Sequence, residues 1–81
     1  MANVRIIREV SNGDEGEWRL CFHWCEYIYD DEPSQLGYRF IWRRPDGTLQ
    51  AARGQARIPS LEDIHELTFS AAREGWLGSI E

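Results

Sequence analysis

Between Glu17 and Asp30 the chain reads EWRLCFHWCEYIYD, and its side chains sort by parity into two unlike sets. Even positions hold Trp18, Leu20, Phe22 and Trp24, then Glu26 and Ile28, while odd positions hold Arg19, Cys21, His23, Cys25, Tyr27 and Tyr29. An extended strand sends alternate side chains to opposite faces of a sheet, whereas a helix would scatter both sets around its axis. The segment therefore predicts a long central strand, with its apolar even face on a core and its mixed odd face turned away.

The neighbouring segments can be placed around this strand. Val4 to Val10 alternates weakly and predicts a first strand, joined to the second through Ser11 to Gly16, where Asn12-Gly13 tolerates positive φ. Asp30 to Gly37 reads as an acidic loop with a Pro, and Tyr38 to Arg44 as a third strand with Tyr38, Phe40 and Trp42 inward. Arg44-Pro45-Asp46-Gly47 fits a type I turn and predicts a hairpin to a fourth strand, Thr48 to Arg57. Pro59-Ser60-Leu61-Glu62-Asp63 is a helix start with Ser60 as N-cap. The helix should end near Glu74, with Gly75 as its left-handed cap and Trp76 folded back on the last turn. Its apolar arc is expected to include Leu61, Ile64, His65, Leu67, Thr68, Phe69, Ala71, Ala72 and Trp76. The expected fold is α+β, a four-stranded antiparallel sheet in ββββα order with the C-terminal helix across the even face.

A chain of 81 residues makes one domain, residues 1–81, and this size buries only about 60–65% of its unfolded surface. Its ten aromatic residues thus have a structural task first. There is no apolar run of about 18 residues, nor a signal-peptide pattern at the N-terminus. A soluble, cytoplasmic protein that does not bind membrane is expected. Cys21 and Cys25 lie about 13 Å apart at roughly 3.3 Å per residue, too far for a disulfide, which needs Cα atoms within about 7 Å. Free thiols follow.

The net charge of −5 is uneven. Residues 1–57 hold nine acids and eight Arg, giving −1, and residues 58–81 hold five acids and one Arg, giving −4. Within the first part Asp14, Glu15, Asp30, Asp31, Glu32 and Asp46 cluster in candidate turns, while the Arg sit in candidate strands.

Several constellations invite chemistry. Cys21, His23 and Cys25 share a strand face, but the two sulfurs are too far apart to meet on one zinc, whose donors lie within about 2.3 Å. A Cys–His nucleophile pair would need a third orienting group and a cleft. The carboxylates of Asp30, Asp31 and Glu32 lack the alternate-residue spacing of a calcium loop. Arg53 and Arg57 precede the helix start, but Glu62 and Asp63 already occupy its positive end. Neither enzyme activity, a metal nor a cofactor is expected.

The odd face remains. It is expected to gather Arg5, Ile7, Arg19, Cys21, His23, Cys25, Tyr27, Tyr29, Arg39, Ile41 and Arg43, with apolar groups in the middle and Arg at the margin. That is how interaction surfaces are composed. The reading is a non-enzymatic protein-interaction module using the open face of its sheet, with Arg19, His23, Tyr27, Tyr29, Arg39, Ile41 and Arg43 as the binding face. The partner would be an acidic protein or a second copy. Single-stranded nucleic acid is the alternative ligand, since aromatics framed by Arg also suit unstacked bases.

Overall fold

The computed structural model describes residues 3–50 and 56–76. Strands β1 (Asn3–Ser11), β2 (Arg19–Ile28) and β3 (Gln35–Arg43) form one antiparallel sheet in the order β1-β2-β3, and helix α1 (Leu61–Arg73) follows. The α+β class, the antiparallel sheet and the C-terminal helix agree with the sequence reading. The strand count does not.

Among the described residues, the expected fourth strand shows one bridge, Leu49 opposite Arg43, with the Gln50 N–H bonded to the Trp42 carbonyl. Residues 51–55 of that expectation lie outside the described residues, and Ala56 and Arg57 are not in a strand. Where the described chain resumes, the Trp42 indole N–H donates to the Arg57 carbonyl at 2.8 Å and Ile58 packs on the core. At its other end β3 begins earlier than expected, at Gln35. Gly37 lies inside the strand opposite Cys25, where an added Cβ would sit 3.3 Å from the Tyr27 ring. The diagonal Tyr27 thus covers a backbone that has no side chain of its own.

Both predicted turns form. The Asn12 side chain accepts from the Leu20 N–H, its backbone N–H donates to the Leu20 carbonyl, and Gly13 takes a φ of 89°. In the second turn the Gly47 N–H donates to the Arg44 carbonyl at 2.8 Å, and Asp46 accepts from both the N–H and the hydroxyl of Thr48.

β1 carries a bulge between Ile6 and Arg8, which changes the reading of its faces. Arg8 pairs with Trp24 and Val10 with Phe22, so Val10 enters the core while Glu9 stands beside His23 on the odd face. Before the bulge the parity reverses: Arg5 pairs with Glu26 on the helix side, and Val4 and Ile6 join the odd face. The expected place of Arg5 on the odd face is corrected by this extra residue, since a bulge sets two residues against one. Arg5 bonds Glu26 at 3.0 Å instead.

The core is built from Val10, Leu20, Leu67, Ala71 and Trp76, flanked by Phe22, Trp24, Phe40, Trp42 and Ile58. The Ser60 hydroxyl accepts from the Asp63 N–H at 3.2 Å, starting α1. At the other end the Gly75 N–H reaches the Ala72 carbonyl and the Trp76 N–H the Ala71 carbonyl, with Gly75 at φ 90°. These are the two bonds of a Schellman ending, and they turn Trp76 back onto Phe22, ring centroids 5.6 Å apart. The apolar arc of α1 is narrower than expected. Leu61 is 81% exposed and Phe69 57%, and His65 lies outside the core, stacked on Phe69 with Arg73 beyond.

Candidate functional site

The odd face is not open. The side chains of Cys21, His23 and Cys25 have no solvent exposure, and Ile41 keeps 7%. Ile41 was expected to lie in water unless a partner covered it; the molecule covers it itself. The cover is made of long polar side chains that lie down on the central strand, as Arg and Tyr do when their stems pack and their tips stay wet.

At its centre is a row across all three strands, Glu9, His23 and Arg39, fixed by the pairing of His23 with both neighbours. His23 Nε2 lies 2.8 Å from Glu9 Oε1, and Arg39 Nε donates to His23 Nδ1 at 3.1 Å. Because Arg has no acceptor, Nδ1 must carry the lone pair, and the ring proton is on Nε2, donated to Glu9. Arg43 closes the row. Its Nη2 donates to Glu9 Oε1 at 2.6 Å and its Nε to Oε2 at 3.2 Å, a two-point grip on the carboxylate, while Nη1 donates to the Gly47 carbonyl. Arg19 stands opposite Arg43; its carbonyl accepts from the Cys21 thiol, and its guanidinium has no bonded partner among the described residues.

Electrostatics agree with this assignment. Burial is the largest influence on Glu9 and works against its charge, but the bonds and charges of Arg43 and His23 outweigh it and hold the carboxyl below its ordinary range. Burial pushes His23 below its usual value and, helped by the nearby Arg39 and Arg43, outweighs the opposing bond and charge of Glu9, which favours a neutral ring. Burial, then the Glu9 charge, raises the Cys21 thiol, which stays protonated at neutral pH.

A metal reading arises here that the sequence did not suggest, because Glu9 comes from another strand. A Glu9 oxygen, Cys21 Sγ and a His23 ring nitrogen lie within 4.8 Å of one another. The hydrogen bonds oppose it. A metal on Nε2 would move the ring proton to Nδ1, against the Arg39 donor, and it would compete with Arg43 for both Glu9 oxygens. The same bonds bear on acid–base chemistry: His23 has both nitrogens engaged and no path to solvent.

Of the predicted site residues, Arg19, Tyr27, Arg39 and Arg43 are partly exposed on this face, and Tyr29, also partly exposed, lies just past the end of β2. His23 and Ile41 lie beneath them. Glu9 is the member that sequence reasoning missed as a partner within the chain.

Acid should destabilise this network through both titrating groups. The Glu9 carboxyl is depressed, so its contribution is full above the ordinary value of 4.5 and disappears as pH falls through the lower folded value. His23 is also depressed, so below about 6.5 the unfolded chain takes up the proton first and stability falls. The melting temperature is expected to decline already as pH drops below 6.5, and His23→Gln should flatten that upper part of the curve. A parent profile that stays level until the carboxylate range would contradict the assignment.

Comparisons with protein-family models, with characterised proteins and with solved structures gave no match for this chain.

Proposed function

We propose that this chain is a non-enzymatic interaction module that takes an acidic, extended stretch of polypeptide onto the odd face of its sheet. The observation that carries the reading is the charge of that face. Arg19, Arg39 and Arg43 face a single carboxylate, Glu9, and a neutral His23, giving +2 on one side of a protein whose net charge is −5. Arg43 is spent on Glu9 and the Gly47 carbonyl, so it serves as scaffold. Among the described residues, Arg39 has only its Nε engaged, leaving the planar fork of Nη groups to meet a carboxylate, and the Arg19 guanidinium has no bonded partner. These two cations stand four residues apart along the sheet, about 13 Å. That separation suits two acidic side chains on one extended segment. A guanidinium held in place by a buried neighbour loses less conformational freedom on binding than a free one.

Titration with a poly-glutamate peptide and, in parallel, with oligothymidylate tests this. The peptide should bind, with affinity falling as salt rises, and Arg39→Glu should weaken it at least about tenfold, or about 1.4 kcal/mol. Arg19→Glu should act in the same direction. Equal peptide affinity in the parent and both variants would defeat the proposal. Binding of the oligonucleotide without the peptide would transfer the face to single-stranded nucleic acid, with the steep salt slope of counterion release.

A further inference from the structure

The two edges of the sheet are treated differently. β1 is bulged at Ile7, carries the Arg5–Glu26 pair and lies against α1, the usual ways of keeping an edge from pairing. β3 has none of these between Leu36 and Phe40, and no described strand pairs with its outer edge N-terminal to Trp42.

The direction of its backbone groups can be read from two bonds. The Trp42 carbonyl accepts from Gln50 and the Arg44 N–H donates to Thr48, both on the outer side. Polar groups alternate along a strand, so those of Leu36, Tyr38 and Phe40 also point outward. The same residues place their side chains on the helix side of the sheet, beyond the reach of α1, which packs on β1 and β2. There Leu36 is 64% exposed and Tyr38 47%, with Tyr38 stacked on Phe22 and Trp24. Among the described residues, an unpaired backbone edge and an apolar strip therefore coincide.

We propose that β3 pairs antiparallel with β3 of a second copy, about a two-fold axis through Tyr38. Outward groups must face outward groups, which sets Tyr38 against Tyr38 and Leu36 against Phe40 in hydrogen-bonded pairs. On the other face Arg39 then meets the Gly37 of the second copy, so the two guanidiniums do not oppose each other and a bare backbone makes room for each. The register also closes at its ends. Where Gln50 takes over the edge beside Trp42, the second chain has reached Ser34, already outside its strand. Antiparallel pairing carries the acidic Asp30–Glu32 segment of each copy toward the Arg44 corner of the other. A foreign strand would have none of this built-in match, which is why the occupant is a second copy. The interface is self-complementary, as two-fold symmetry requires.

Sedimentation equilibrium of the full chain should show a reversible dimer at micromolar concentration. Leu36→Pro removes one outward N–H while leaving the β2 ladder intact, and should weaken dimerisation at least tenfold. Leu36→Lys, which keeps that N–H and alters only an exposed side chain, should weaken it as well. Arg19→Glu should leave the dimer unchanged, which separates this inference from the proposed peptide site. Opposed hydrogen-bonded residues have Cα atoms about 5.5 Å apart, within disulfide reach. Tyr38→Cys should therefore oxidise to a covalent dimer, while Leu36→Cys should not. A monomer throughout the range, a dimer indifferent to both Leu36 substitutions, or a dimer that Tyr38→Cys fails to cross-link would each overturn the proposal.

Discussion

Trp76→Ala is expected to lower the free energy of unfolding by about 3–5 kcal/mol, the range for removing a buried large aromatic. Trp76 is 2% exposed, follows the Gly75 cap and lies on Phe22, so it joins the end of the helix to the centre of the sheet. Small domains have about 5 kcal/mol or little more in total. Much of the variant should be unfolded at ordinary temperature. Phe69→Ala and Leu61→Ala, on the exposed side of the same helix, should change stability by no more than about 0.5 kcal/mol. Urea unfolding followed by far-ultraviolet circular dichroism measures all three. A near-neutral Trp76→Ala would mean that the helix is not anchored through its C-terminal turn.

Glu9→Ala carries the second large effect, about 2–3 kcal/mol, the scale of losing hydrogen bonds that involve charged groups. The figure stays below that for a fully buried ion pair because the Glu9 and Arg43 side chains keep 25% and 21% of their exposure. The variant leaves the buried His23 N–H without its acceptor and Arg43 without its carboxylate. Glu9→Gln should cost less, since an amide oxygen can still accept one of the bonds. If Glu9→Ala and a surface control such as Glu15→Ala unfold alike, the row across the sheet contributes nothing to the fold.

Parity made most of the architecture legible. Leu20, Phe22 and Trp24 on one side of β2, and Cys21, His23 and Cys25 on the other, fall as alternation requires. The helix caps at Ser60 and Gly75 were equally readable, because each rests on local chemistry. What parity could not show was an extra residue. The bulge at Ile7 reverses the first half of β1, moving Arg5 to the helix side and Val4 and Ile6 to the other. Nor could alternation alone show that β3 runs through Gly37, since a glycine there depends on Tyr27 from the next strand to cover it.

The candidate site was half legible for a related reason. That Arg39, Arg43 and His23 share a face follows from periodicity, but that Arg39 donates to His23 and that Arg43 grips Glu9 follows from register. Register depends on turn length and bulges. An odd face read only by composition looks like exposed apolar surface framed by Arg. Read with register, it is a layer in which Arg side chains cover thiols and an imidazole, and the most exposed apolar side chains of the strands, Leu36 and Tyr38, lie on the other side.

The central claim is that this layer is a fixed hydrogen-bonded network that leaves Arg39 half free for a ligand. Long-range nitrogen–proton correlation spectra of imidazole-labelled protein at neutral pH test it most directly. The account predicts a single neutral His23 tautomer protonated at Nε2, with Nδ1 shifted as an acceptor and the Nε2 proton protected from exchange. In Arg39→Gln the Nδ1 signal should move while the Nε2 proton remains. A His23 protonated at Nδ1, or averaging between tautomers like a solvated ring, would contradict it.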